Sequence, residues 1–280
     1  MASPLVSVII PTYNRPQQAV GAVESFLRQT YRRIEVIVVN DGGTPEVGPA
    51  VNALADPRLR FFSKQNGGLA SARNYGLRQA QGEYVTFCDD DDDVYPQRLE
   101  LHLAHMAATG ATVSFCNAHV VTADRARPFF RQPPVPSFAG LFYRTNPPPN
   151  TFLVLRAAIE RVGGFDERLR VCEDLDLWLR LLPQHRFDYL HQPLVRYVRH
   201  PGAMSNDLQT MSREISRLTE NYVRAHAVEL PPEFLQKFRR LMLLRQGKRQ
   251  LRERDLFGGL TTAYEWIATA WSRPRTPSAS

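Results

Sequence analysis

The sequence predicts an α/β protein with a mainly parallel sheet flanked by helices, followed by a helical, basic extension. Three observations predict it. Short apolar strands alternate with helical stretches through the first 116 residues, the pattern of a parallel sheet covered on both faces. Polar clusters stand where those strands end, and open α/β sheets bind ligands beyond the carboxyl ends of their strands. From about residue 208 the chain turns helical and basic.

Residues 6–10 form an apolar strand closed by Pro11, and residues 17–29 read as a helix with Val20, Val23, Phe26 and Leu27 inward. A second strand covers residues 34–39 and stops at Asn40-Asp41-Gly42-Gly43. Residues 59–63 are a third strand, and residues 69–80 a helix with small residues on its packed side. A fourth strand, 84–88, precedes a helix at 98–108 carrying Leu99, Leu101, Leu103 and Met106, and residues 113–116 continue the alternation. Seven prolines between 124 and 150 predict loop and extended chain there. A strand at 151–155, a helix at 157–162, a turn at Gly163-Gly164-Phe165-Asp166-Glu167, a helix at 173–182 and a strand at 195–198 follow. Residues 273–280 read as a frayed tail.

With 280 residues the chain can bury a full core, and 43% hydrophobic with 22% charged residues is ordinary for a globular protein. No apolar run approaches the roughly 20 residues that span a bilayer. Met1-Ala2-Ser3-Pro4 lacks the charged-then-apolar pattern of a secretory signal. Cys88, Cys116 and Cys172 are scattered and odd in number, which predicts buried free thiols in a reducing cytoplasm. The net charge of +7 gathers late, between Lys237 and Arg254, while the acidic motifs lie earlier.

The sharpest feature is the run Tyr84-Val85-Thr86-Phe87-Cys88 ending in Asp89, Asp90, Asp91, Asp92 and Asp93. Like charges about 7 Å apart in water cost roughly 0.6 kcal/mol per pair. A divalent cation is the natural counter-charge, because Mg²⁺ and Mn²⁺ prefer carboxylate oxygen and keep positions open for phosphates. A solvated acidic loop that binds nothing is the plain alternative. A calcium loop matches at Asp89, Asp91, Asp93 and Glu100, but its sixth position is Val94 where the turn needs Gly, and Pro96 follows.

Asp41, beside two glycines at a strand end, is either a contact for a base or sugar edge or an ordinary turn aspartate. Arg73, early in a helix after Asn66-Gly67-Gly68, is either an anion-binding guanidinium or a surface arginine. Tyr13 either stacks on a planar base or covers the sheet end. Glu173-Asp174 opens a helix, where the dipole favours carboxylates; as a functional pair, Glu173 would raise the proton affinity of Asp174 towards that of a general base. His200 either completes a metal site or, as a lone histidine, ligates nothing, and His102 and His105 read as surface residues.

Six motifs in order carry a resemblance. They are Val6-Ser7-Val8-Ile9-Ile10-Pro11-Thr12-Tyr13-Asn14-Arg15, Val38-Val39-Asn40-Asp41-Gly42-Gly43-Thr44, Asn66 through Gly76, Phe87-Cys88-Asp89-Asp90-Asp91-Asp92, Gly163 through Glu167, and Glu173 through Arg180. From residue 4 to 205 the chain resembles inverting family 2 glycosyltransferases. The resemblance implies a GT-A fold over 1–205, with a nucleotide-binding part at 1–123 and an acceptor-binding part at 124–205, before the basic extension at 206–280. It implies nucleotide contacts from Pro11, Thr12, Tyr13, Asp41, Arg73, Asp89 and Asp90, and Mg²⁺ or Mn²⁺ held by Asp91 with help from His200. Asp174 would deprotonate the acceptor hydroxyl. Gly43 stands where Ser is usual, and the five-aspartate run leaves open whether Asp92 or Asp93 shares the metal.

The expected partners are a nucleoside-diphosphate sugar, UDP by default with dTDP and GDP open, and a glycan or lipid-linked acceptor in surface-polysaccharide assembly. No nucleic-acid recognition module is visible. Phe234, Phe238, Leu241, Leu244 and Leu251 line an apolar stripe beside the basic cluster. That stripe either packs on the catalytic domain or meets anionic lipid at the inner face of the membrane. A nucleotidyltransferase is disfavoured because the first strand is not followed by a glycine-rich phosphate loop. The non-enzymatic alternative is a glycan-binding or scaffold protein on the same fold.

Overall fold

A computed structural model describes residues 3–122, 125–130, 147–198 and 207–226, with positions 235, 236, 240 and 243. The chain divides into two units, Met1–Ser212 and Arg213–Ser280. In the first unit the order is β1 (Val6–Thr12), α1 (Pro16–Leu27), β2 (Ile34–Asp41), α2 (Val47–Asn52), β3 (Leu59–Lys64), α3 (Leu69–Gln79), β4 (Tyr84–Phe87), β5 (Asp93–Val94), α4 (Arg98–Thr109), β6 (Val113–Val121) and β7 (Ala126–Pro128). After a single 3-10 turn at Pro149–Thr151 come β8 (Phe152–Leu155), α5 (Arg156–Arg161), α6 (Glu173–Leu181) and β9 (Phe187–Val198). The second unit is described chiefly by the later part of α7 (Leu208–Ala225).

Among the described residues one sheet runs in the order β3-β2-β1-β4-β8-β6-β9-β5, with β7 paired to β6. β3, β2, β1 and β4 are mutually parallel; β8 is antiparallel to β4 and β6, and β6 and β9 are parallel. Every residue of β1 and β2 is buried, as expected of central parallel strands covered on both faces. Their side chains alternate between two cores. Val8, Ile10, Val36 and Val38 pack with Val23 and Phe26 of α1 and Leu99 of α4. Ile9, Ile37 and Val39 face the other way, with Ala72 of α3 and Trp178 of α6. Gly76 lets α3 come this close, since a Cβ there would stand 2.5 Å from Ile9 Cγ2.

The largest difference from the sequence reading is β9. It begins at Phe187, and its register on β6 shifts around Asn117, where Leu190 pairs with Cys116 but Pro193 pairs with Asn117. The irregularity accommodates Pro193, which otherwise argues against strand at that point. His102 is also corrected. Its side chain is fully buried, with Nδ1 2.8 Å from Ser114 Oγ. Burial, with Arg98 beside it, holds its proton affinity well below the usual histidine range. His105 is half-buried 3.1 Å from Asp188. The periodicity of α4 marks its apolar residues, but nothing local shows that β6 offers Ser114 to a polar one.

Candidate active site at the carboxyl edge of the sheet

β1 and β2 deliver the first two polar clusters side by side. Asn14 takes a left-handed backbone (φ 58°) and its Oδ1 accepts the Thr44 amide at 2.7 Å, while Asn40 Oδ1 accepts the Gly43 amide at 3.1 Å. The first bond ties the two loops together, and the second shapes the turn after β2. Pro11 and Thr12 end β1 as buried residues, and Tyr13 just beyond is 51% exposed, the one exposed large hydrophobic among the described residues. Asp41 is buried. Its carboxylate accepts Lys64 Nζ at 2.6 Å and the Gly68 amide at 2.7 Å, so it fastens the Asn66-Gly67-Gly68 loop that opens α3.

The five aspartates separate by burial. Asp90 and Asp92 point inward. Asp90 accepts the Thr12 hydroxyl at 2.7 Å and Arg15 Nη1 at 3.2 Å, and burial pushes its carboxyl up to about 6 against those two partners. Asp92 accepts the Val198 amide at 2.9 Å and the Asn150 side-chain amide, and burial raises its carboxyl well above the usual range. Asp93 enters β5 and lies 3.3 Å from Arg196 Nη1. Asp93 keeps partial access to solvent, as do Asp89 and Asp91, whose side chains are 32% and 23% exposed and each face a guanidinium other than Arg196. A cleft of about 300 Å³ between α1 and this loop is lined by Gln18, Gly21, Glu24, Arg28 and residues 90–93.

Arg73 is not at the surface. It is 1% exposed and bridges two parts of the chain, with Nη2 2.6 Å from Asp89 and Nη1 2.6 Å from Glu173. Its Nε has no partner and its guanidinium lies 5.4 Å from the Phe165 ring centroid. Burial disfavours its charge, but Asp89, Glu173 and Asp174 outweigh that and hold its proton more tightly than usual. Asn74, one residue on, fixes the turn at 163–167: its Nδ2 donates to the Phe165 carbonyl at 2.9 Å and its Oδ1 accepts the Phe165 amide at 2.8 Å. α3 therefore ties the acidic loop after β4 to the segment leading into α6.

Asp174 is partly accessible at its surface yet surrounded by protein, and its Oδ1 accepts the Leu175 amide at 2.7 Å. Burial first, then the neighbouring Glu173, push its carboxyl up to about 7, with Arg73 opposing. Two adjacent acids thus differ: Glu173 takes the guanidinium and Asp174 takes the proton affinity. The helix start that carries them is set by Cys172, in the left-handed region at φ 61°.

The donor set suits a hard cation. Asp89 and Asp91 are partly exposed oxygen donors, and each already lies against a guanidinium, the kind of charge a cation replaces. Among the described residues no three His, Cys, Asp or Glu side chains are gathered as metal ligands. His200, the further metal candidate, lies outside the described residues, as do the apolar stripe at 234–251 and nearly all of the basic cluster. No described helix is long and apolar enough to cross a membrane.

Residues that the sequence reading left without a role are Arg15, Thr12 as partner of Asp90, Lys64, Asn74 and Glu173 as partner of Arg73. Only Lys64 stood outside the quoted motifs, and the spacing of 100 residues between Arg73 and Glu173 has no local signal.

The mixed, mostly parallel sheet flanked by helices is the fold of a GT-A glycosyltransferase. The chain belongs to glycosyl transferase family 2, whose family model matches residues 7–162. WcaA of Escherichia coli K12, named as a colanic acid biosynthesis glycosyl transferase, is 34% identical over 192 residues, covering 65% of this chain and 68% of WcaA. An uncharacterized glycosyltransferase of Rickettsia typhi is 28% identical over 236 residues, covering 79% of this chain and 72% of its own length. Among solved structures, S. aureus TarS 1–349 in complex with UDP-GlcNAc matches with a TM-score of 0.68 at 19% identity, over 96% of this chain and 93% of that one. That likeness is one of fold.

Proposed function

We propose that this glycosyltransferase moves a sugar from a nucleoside-diphosphate sugar, UDP by preference, to an acceptor hydroxyl with inversion, in the assembly of a surface polysaccharide. The observation that carries the reading is the Arg73 bridge: one buried guanidinium joins Asp89 at the donor edge to Glu173, next to Asp174. The polysaccharide context is supported by the likeness to WcaA, and the choice of UDP by the TarS complex.

Tyr13 offers an exposed ring for the base, and the Pro11–Tyr13 and Asp41–Gly68 loops shape its pocket. Asp89 and Asp91 would hold Mg²⁺ or Mn²⁺, which would supply charge to offset that gathering on the leaving diphosphate. Arg73 fixes Asp89 in place. Asp174, with its proton affinity near neutral, accepts the acceptor's hydroxyl proton as the oxygen attacks the anomeric carbon, contributing about 10²- to 10⁴-fold. Attack and departure in line give inversion in one displacement.

Calorimetric titration of UDP, dTDP and GDP, each with Mn²⁺ and with EDTA, tests this. Metal-dependent binding of UDP is expected. Binding of none of the three, with or without metal, would sink the proposal.

A further inference from the structure

The acidic loop carries a cation of its own. Arg15 Nη1 lies 2.9 Å from Asp91 Oδ2 and 3.2 Å from Asp90 Oδ1. Asp90 is committed to the interior through the Thr12 hydroxyl. Asp91 is a carboxylate that the proposed function gives to the metal. Arg15 is 35% exposed and stands between β1 and α1 with an extended-side backbone (φ −134°, ψ 62°) that forms no side-chain cap on the helix. Its side chain can therefore leave Asp91 without undoing either element.

We propose that Arg15 is a positioning residue that closes Asp91 to metal while the donor is absent and yields it when metal and anionic donor arrive together. A guanidinium and a divalent cation compete for the same carboxylate oxygens. Without donor, an incoming metal must displace Arg15 from Asp91 and then sit beside a guanidinium that has lost one of its two carboxylates and keeps only Asp90. A nucleoside diphosphate brings the negative charge that makes the two cations compatible. Arg15 then changes from an opponent of metal binding to a favourable neighbour of the loaded site, which couples the two ligands. The inference rests on Asp91 being a metal ligand.

The test is titration of Mn²⁺ into the full-length protein, followed by calorimetry and water-proton relaxation, without and with saturating UDP. It uses wild type, Arg15→Gln, Arg15→Lys and Asp91→Ala. Arg15→Gln should bind Mn²⁺ about two- to fivefold more tightly than wild type without UDP, the range of a partly exposed ion pair. The gain in Mn²⁺ affinity on adding UDP should shrink in the same variant. Arg15→Lys should lie between the two, and serves as the probe if the Gln variant does not fold. An arginine that merely supported the loop would weaken Mn²⁺ binding in both conditions when removed, so the sign decides. Unchanged or weaker donor-free affinity in Arg15→Gln, with Asp91→Ala losing Mn²⁺ binding, overturns this inference alone. Asp91→Ala that binds Mn²⁺ like wild type overturns the metal assignment and the inference with it.

Discussion

The acidic loop after β4 and the acidic start of α6 pose the same electrostatic problem and solve it differently. The loop brings five carboxylates together and answers with inward burial for Asp90 and Asp92 and with guanidinia, Arg15 and Arg73, for Asp91 and Asp89. The α6 start brings two, and its share of Arg73 goes to Glu173. Asp174 is left with burial and a like-charged neighbour, and its carboxyl rises to about 7. Burial together with the allocation of counter-charge, not the number of acids, decides which carboxyls are pushed up: Asp90 and Asp92 in the loop and Asp174 on α6.

Removing the shared cation should break both regions at once. Arg73→Ala leaves Glu173 buried and Asp89 unpaired, so it should cost about 3–5 kcal/mol in denaturant unfolding, the range for breaking a buried pair. Arg73→Lys should recover only part, because a point charge cannot fork to two carboxylates. A loss under about 1 kcal/mol for Arg73→Ala would mean that the bridge is not a structural joint.

Asp174→Asn separates function from stability. Turnover should fall about 10²- to 10⁴-fold while UDP affinity holds. In wild type, kcat/KM should fall as pH drops below about 7, where Asp174 takes up its proton, and the variant should lack that limb. The stability effect has the opposite sign. Asp174 binds its proton more tightly folded than unfolded, so its contribution to stability falls as pH rises from about 4 to about 7. Asp174→Asn should therefore melt a few degrees higher than wild type at pH 8, and about the same at pH 4. A lower melting point at pH 8 would show that the ionised carboxylate is held by partners worth more than its burial.

The smallest effect is expected at the loop's outer end. Asp93 pairs with Arg196 at 3.3 Å, both half-exposed, so Asp93→Asn should change stability by less than about 1 kcal/mol and leave Mn²⁺-dependent UDP binding intact. Loss of metal dependence in that variant would move the metal towards Asp93.

The strands and the three polar edge clusters were legible because hydrophobic period and turn residues are local signals, and β1, β2 and β4 with their terminal motifs stand where those signals put them. The first half of β9 was not, because Pro193 masks a strand whose irregular register only its partner β6 accommodates. α2 was missed too, with Gly48 and Pro49 inside it; it packs through Val47 and Val51 onto the β1–β2 core. Arg73 illustrates the site: the motif marked the residue, but two readings stayed open until the fold buried it between Asp89 and Glu173.

By itself the sequence determined the α/β alternation, the family and the identity of the acids, because each is written in residue type, spacing and order. Only the tertiary structure decided which of five adjacent aspartates face inward, which guanidinium answers which carboxylate, and that His102 is a buried neutral partner of Ser114. Those outcomes depend on contacts between residues 12 to 106 positions apart, which bring burial and counter-charge together only once the strands have paired.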